Sequence, residues 1–171
     1  MARERPTPGA EVAQDLGLAA ILGGNLFARL GMHPALAEVS DARERGKVVN
    51  AAWSRYGAIN GIGLAALVAG WWVSRDDPRS LRSGRDRRLA VARDVTVGAV
   101  AASGLAAAVE GMRFSRMEPE GAVPLEDGDE ASRDASPPAR AAKSRLTLLG
   151  GFNLASALAL AALNAVLRRA A

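Results

Sequence analysis

Four side chains that can hydrogen-bond recur inside stretches of the chain that are otherwise apolar. Three are carboxamides and one is a hydroxyl: Asn25, Asn60, Asn153 and Ser103. Counted from predicted helix ends near Met32, Trp53 and Leu146, which face the two longer connections, each carboxamide lies about seven residues inward, or roughly 10 Å at the rise of an α-helix. This spacing predicts a polar layer to which four helices contribute.

Four further polar groups are placed about one helical turn nearer the same ends: Arg29, Arg55, Tyr56 and Glu110. An ion pair between Glu110 and Arg29 would compensate both charges. Two interpretations stay open: hydrogen bonds that hold helices together, or a pocket for a small molecule, a lipid headgroup or a quinone-like ring. The candidate ligand-binding residues are Asn25, Arg29, Tyr56, Asn60, Ser103, Glu110 and Asn153.

The sequence offers little catalytic chemistry. It has no cysteine and a single histidine, His33, so thiolate nucleophiles and His-rich metal or haem centres are excluded within one chain. His33 precedes a proline after an apolar run, a position typical of an interfacial residue at a helix end. We predict no catalytic residue, no metal and no cofactor; whether the protein is an enzyme stays open, with a noncatalytic role favoured.

Uncharged stretches must position these side chains. Leu146–Leu167 has 22 residues and Tyr56–Ser74 has 19, each near the length that crosses a bilayer, whereas Leu16–Ala28 has 13 and Val95–Val109 has 15. The pattern predicts an all-α, four-helix transmembrane bundle with helices at residues 12–32, 51–74, 90–112 and 146–168. Gly57 and Gly61 form a GxxxG spacing that favours close helix packing. The alternative is a soluble bundle with Ala-rich helices, which the mean hydropathy of +0.04 permits.

Basic residues are distributed over the connections between these helices. The chain has 22 Lys and Arg and a net charge of +4, without the basic stripe or aromatic platform of a nucleic-acid binder. Lys and Arg tie at eleven on each side of the predicted membrane. The eleven at the two termini and in the connection at 75–94 lie in shorter segments, which have more influence on topology. Both termini are therefore predicted to be cytoplasmic. The Arg-rich composition suggests a GC-rich bacterial genome and thus a multi-pass protein of the bacterial inner membrane.

The connection at 113–145 is rich in acidic residues, proline, glycine and serine. Such a composition provides little apolar surface to offset the entropy of ordering. It predicts a long, flexible, disordered acidic loop within a single membrane domain of residues 1–171.

The segments Phe27–Arg29 and His33–Leu36, followed by Trp53 and Tyr56, resemble the anthrone-oxygenase-like group of small four-helix bacterial membrane proteins. The resemblance covers about the first 75 residues and implies a four-helix membrane fold more than a particular reaction.

Together these features favour an accessory or small-ligand-binding membrane protein. The alternatives are a cofactor-independent oxidoreductase or oxygenase-like enzyme acting on an apolar aromatic substrate, and a small transporter subunit. The expected partners are membrane lipid and a second copy of the chain or a membrane protein, with no nucleic acid.

Overall fold

The chain folds into helices joined by short connections and one longer segment. The structure, a computed structural model, describes residues 8–75 and 84–170. Over these ranges the only extended pairing is an isolated bridge between Leu125 and Ala131. The predicted all-helical class is confirmed. The four long helices are α1 (Pro8–Phe27), α2 (Ala42–Ser74), α3 (Gly84–Phe114) and α4 (Pro137–Ala170).

Helices α2 and α4 both begin earlier than their apolar stretches. The Asp41 carboxylate accepts hydrogen bonds from the backbone N–H groups of Arg43 (2.8 Å) and Glu44 (2.9 Å), which caps the first turn of α2. Helix α4 begins with Pro137, whose fixed φ suits the first helical position. These cap signals start each helix several residues ahead of the boundaries predicted at 51 and 146, which were placed by hydrophobicity alone.

Helix α1 continues into a short connection of mixed helical type. Residues Ala28–Met32 form a π-helical turn, followed by one helical turn at His33–Ala35 and a 3-10 turn at Leu36–Glu38. The chain becomes extended at Val39 and then enters α2.

Helices α1 and α2 pack with their backbones in direct contact at glycines. A Cβ atom at Gly17 would stand 2.3 Å from the carbonyl oxygen of Gly63, and one at Gly70 would stand 2.4 Å from the carbonyl oxygen of Ala10. Only glycine permits this approach. By contrast, the space beside Gly57 and Gly61 is open, so the predicted GxxxG pair is not the contact between helices in this chain.

A hydrophobic core joins all four long helices. It combines leucine, isoleucine and valine with small alanines, and several of these side chains are fully inaccessible. Its members are Leu18, Ile21, Leu67, Val97, Val100, Ala157 and Leu160.

Three helices of the described chain are long and apolar enough to cross a membrane, judged by length and composition. They cover Ala42–Ser74, Arg87–Phe114 and Pro137–Arg169, and no more than 22% of each apolar window is buried inside the protein. Helix α1 is not among the three.

The connection after α3 is folded, which differs from the flexible, disordered loop predicted for 113–145. We call residues 115–136 the cap. Val123 and Leu125 are fully buried there, against Leu36, Val49 and Phe114. The acidic composition of the segment gave no indication that these two apolar residues would be buried. Their burial depends on surfaces supplied by helices before and after the loop.

Arg45 of α2 fastens the cap to the bundle. Its guanidinium donates hydrogen bonds to the carbonyl oxygens of Val39 (2.7 Å), Leu125 (3.1 Å) and Glu126 (2.7 Å). The backbone N–H of Leu125 donates to the carbonyl of Ala42 at 3.0 Å. One arginine thus satisfies backbone groups that would otherwise favour an unfolded, hydrated loop.

Candidate functional site

Three of the predicted layer residues meet across three helices. Asn153 of α4 donates from Nδ2 to the carbonyl oxygen of Val100 and to Oγ of Ser103, both at 2.9 Å. Asn25 of α1 donates from Nδ2 to Oδ1 of Asn153 at 3.3 Å and to its own helix at Ile21 O, 2.9 Å. Asn153 is therefore the centre of a hydrogen-bonded network between α1, α3 and α4.

The network is buried because small residues surround it. Asn153 and Ser103 are 6% and 5% exposed. Gly104 follows Ser103, and a Cβ atom there would stand 3.4 Å from Asn153 Nδ2, a contact tighter than side chains normally make. The absence of that carbon lets α3 and α4 approach closely enough for the carboxamide to bridge them.

Asn60 lies on the inner face of α2 but does not join this network. Tyr56, one turn before it, donates a hydrogen bond from its hydroxyl to the carbonyl of Ala20 at 2.6 Å. The Tyr56 ring occupies the space that a side chain at Gly24 would need. Leu64, one turn after it, contacts α3 at Gly104. Between these contacts the Oδ1 atom of Asn60 is buried, and no donor among the described residues reaches it.

The predicted pair between Glu110 and Arg29 was wrong. Glu110 accepts from Arg145 of α4 at 2.8 Å from Nε and 2.5 Å from the terminal nitrogen, and Arg113 lies 3.8 Å away. Arg29 instead lies 4.0 Å from Asp129 of the cap. Depth along the helices placed both residues near one end, but α3 pairs there with α4 and not with α1.

Arg29 connects the cap to the polar layer. It belongs to the π-helical turn after α1, one turn beyond Asn25. Its guanidinium lies 3.7 and 3.6 Å from the positions that Cβ atoms at Gly150 and Gly151 would take. The arginine therefore lies close to α4, one turn from Asn153.

A second group of polar side chains, which the sequence did not reveal, surrounds His33. Its Nδ1 atom lies 3.2 Å from a carboxylate oxygen of Asp129, and its side chain is 12% exposed. Gly128 touches the imidazole so closely that a Cβ atom there would overlap the ring. Lys143 donates to the carbonyl of Gly128 at 2.5 Å, and Thr147 donates to the carbonyl of Asp129 at 2.7 Å.

Burial lowers the pKa of His33 below its ordinary value of 6.5. Asp129 acts in the opposite direction, while the nearby positive charges of Lys143 and Arg29 lower the pKa further. His33, predicted to be an interfacial residue at a helix end, packs against Gly128 and Asp129 of the cap. Its partners are distant in sequence and follow no motif, so only the folded cap reveals the group.

This arrangement can bind but holds no assembled metal centre. Among the residues that the structure describes, no three His, Asp or Glu side chains are grouped to hold an ion. The chemistry on offer is hydrogen bonding: one unpartnered carboxamide oxygen at Asn60, beside a network at Asn153 that is already satisfied.

Comparison with known proteins leaves the family open. No protein-family model matches the chain, and neither the curated proteins nor the solved structures give a significant match. The resemblance to the anthrone-oxygenase-like group therefore stays a prediction.

Proposed function

We propose that this chain is a multi-pass membrane protein whose four long helices lie in lipid. The distribution of polarity supports this: large apolar side chains point outward, with Ile62 and Leu148 71% exposed, whereas Asn153 and Ser103 are buried inside. In water such a bundle would expose an extensive apolar surface. In a bilayer the same surface meets hydrocarbon, and the interior amides hydrogen-bond between helices.

Helix α1, at 20 residues the shortest of the four, is not among the three helices that are long and apolar enough to span, and its charges support a place beside them in the same membrane. Asp15, just before its uncharged stretch, pairs with Arg168 near the end of α4. Arg29, just after that stretch, lies beside the cap. Both charged ends can reach the interfaces, and Leu16 and Phe27 between them are exposed on the outside of the bundle, where lipid would cover them.

Within this membrane bundle we propose a noncatalytic, small-ligand-binding role. The single observation that supports it is the buried Oδ1 of Asn60, which has no donor among the described residues. A buried acceptor left unpaired costs about 1 to 3 kcal/mol, so a ligand that donates a hydrogen bond would be stabilised there. The chemistry fits a small apolar molecule carrying a hydroxyl or N–H group, such as a hydroquinone-like ring.

The experiment is native mass spectrometry of the protein purified in a gentle detergent, comparing Asn60→Leu with Asn153→Leu. Asn60→Leu removes an unpartnered oxygen, so we expect a folded protein that loses a co-purifying small molecule. Asn153→Leu removes the central network, so we expect lower thermal stability. Retention of the same molecule by folded Asn60→Leu would refute the ligand role.

Association with a membrane partner or a second copy belongs to the same proposal. The open space beside Gly57 and Gly61 on α2 supports it, because small residues at this spacing let another membrane helix approach. A polypeptide that co-purifies in the same spectra would identify the accessory role. Turnover of an added aromatic compound would favour the competing oxidoreductase, and a protein that stays monodisperse in detergent-free supernatant after ultracentrifugation would refute membrane insertion.

A further inference from the structure

A second polar level crosses the bundle at the end opposite the cap. Each long helix contributes one residue to it: Gln14, Ser74, Arg93 and Asn164. Gln14, Ser74 and Asn164 are 5%, 6% and 8% exposed, and the Arg93 side chain is 12% exposed. Ser74 donates its hydroxyl to Oε1 of Gln14 at 3.4 Å, which joins α2 to α1.

The other two members of this level have buried donors without acceptors. Nε and one terminal nitrogen of Arg93, and Nδ2 of Asn164, make no hydrogen bond within the described part of the chain. All three atoms are donors, and two of them belong to the permanently charged guanidinium of Arg93. A buried guanidinium left in this state is unfavourable unless an anion accepts its hydrogen bonds.

The register of α3 against α4 brings Arg93 and Asn164 to one height. Asn153 bonds to both Val100 and Ser103, which fixes the antiparallel alignment. Arg93 lies seven residues from Val100 and ten from Ser103, and Asn164 lies eleven from Asn153. At about 1.5 Å per residue, the two side chains start within roughly one helical turn of each other along the bundle.

Both residues also lie on the faces that the two helices turn toward each other. Val97 and Val100 on α3, and Ala157 and Leu160 on α4, are buried in the common core. Arg93 precedes Val97 by four residues, and Asn164 follows Leu160 by four, so each extends its core face by one turn.

The neighbouring carboxylate of Asp94 does not accept the hydrogen bonds of the Arg93 guanidinium. It accepts a hydrogen bond from Trp71 Nε1 at 2.7 Å, and it approaches Arg93 only to 3.5 Å, outside hydrogen-bond geometry. Asp94 therefore offsets part of the charge but leaves the guanidinium donors unused.

We infer that Arg93 and Asn164 form a binding site for a phosphate group at the end of the bundle opposite the cap. A phosphate offers several acceptor oxygens with negative charge, which complements a guanidinium and a carboxamide N–H. Arg93 stands just outside the uncharged run that begins at Val95, the depth at which the headgroups of anionic phospholipids lie. The phosphate belongs either to such a lipid or to a free anion, and both use the same donors.

Thermal unfolding of the full chain in phosphatidylcholine nanodiscs tests this site. One arm replaces part of the lipid with phosphatidylglycerol, and the other adds inorganic phosphate against chloride at equal ionic strength. The variants are Arg93→Gln and Asn164→Leu, with Arg88→Gln, an exposed arginine on the same helix, as the control of equal charge change.

We expect the wild type and Arg88→Gln to melt at a higher temperature in one of the two arms, and Arg93→Gln to lose that gain. The loss of one charge-assisted hydrogen-bond partner should weaken binding roughly tenfold or more. Stabilisation by phosphatidylglycerol alone identifies a lipid headgroup, and stabilisation by inorganic phosphate identifies a free anion. The site is refuted if neither arm stabilises the wild type, or if both Arg93→Gln and Asn164→Leu keep the full gain.

Discussion

At the scale of the residue, Asn153 differs from Asn60 in how completely its hydrogen-bonding groups are used. Asn153 makes three hydrogen bonds to two other helices, whereas the oxygen of Asn60 makes none with the described residues. The two carboxamides were equivalent in the sequence, where each was a polar residue at one depth. Their different surroundings separate the structural role of Asn153 from the binding role proposed for Asn60.

Replacing Asn153 by leucine should therefore destabilise the bundle by about 1 to 3 kcal/mol, because interhelical hydrogen bonds of membrane proteins contribute roughly 0.6 to 2 kcal/mol each. The comparison is Asn25→Leu, which removes one interhelical bond of 3.3 Å and should cost less. Unfolding in mixed micelles of increasing SDS content measures both. Equal stability of the two variants would contradict a central role for Asn153.

His33 should make the cap sensitive to acid. Because burial lowers its pKa, the unfolded cap binds a proton more readily than the folded cap, so stability is complete above pH 6.5 and falls as the pH drops below that value. Asp129 favours the protonated ring, while Lys143 and Arg29 oppose it. The protection factors of the cap amides, which correct for the slower intrinsic exchange at low pH, should be smaller at about pH 5.5 than at about pH 7.5.

His33→Gln is the control for this acid response, since it keeps a polar side chain of similar size but does not titrate. The protection factors of its cap amides should depend less on pH over the same range. If the variant and the wild type respond equally, another group is responsible for the acid sensitivity.

At the scale of the element, α1 and α2 are held by backbone contact at glycine. A methyl group at Gly17 would meet the carbonyl of Gly63 at 2.3 Å, and backbone cannot move aside as a flexible side chain can. Gly17→Ala should separate the helices and destabilise the protein by about 1 to 3 kcal/mol.

The matched control on the same helix is Gly23→Ala, because a Cβ atom there meets nothing within 4 Å. Alanine favours a helix over glycine by about 1 kcal/mol, so this variant should be neutral or slightly more stable. Thermal unfolding in detergent compares the two. A loss of stability at Gly23 equal to that at Gly17 would show that the cost is not the contact between α1 and α2.

The elements also show what the sequence could and could not predict. The four helices follow from runs without charge, and the shared depth of Asn25, Ser103 and Asn153 follows from counting residues along them. The depth of a residue along its helix does not show which helices are neighbours. The predicted partner of Glu110, Arg29, was therefore wrong, and Arg145 takes its place. The cap was missed because Val123 and Leu125 are few among acidic residues, and their burial depends on Leu36 and Val49, far away in the chain.

At the scale of the whole molecule, the two ends of the bundle differ in their covering. The cap and its cluster around His33 close one end. The start of α1, the end of α2, the start of α3 and the end of α4 lie at the other end, on the side of Arg93 and Asn164. The predicted orientation puts that second end in the cytoplasm, where anionic lipid is concentrated in many membranes.

Single cysteines can test this orientation without interference, because the chain contains none of its own. Glu126→Cys reports on the cap and Arg87→Cys on the opposite end, and both positions are exposed. With both termini cytoplasmic, a membrane-impermeant maleimide should label Glu126→Cys in intact spheroplasts and Arg87→Cys only after lysis. The reverse pattern would invert the topology and move the phosphate site to the outer face. Labelling of both in intact spheroplasts would contradict a bundle that separates the two ends across a membrane.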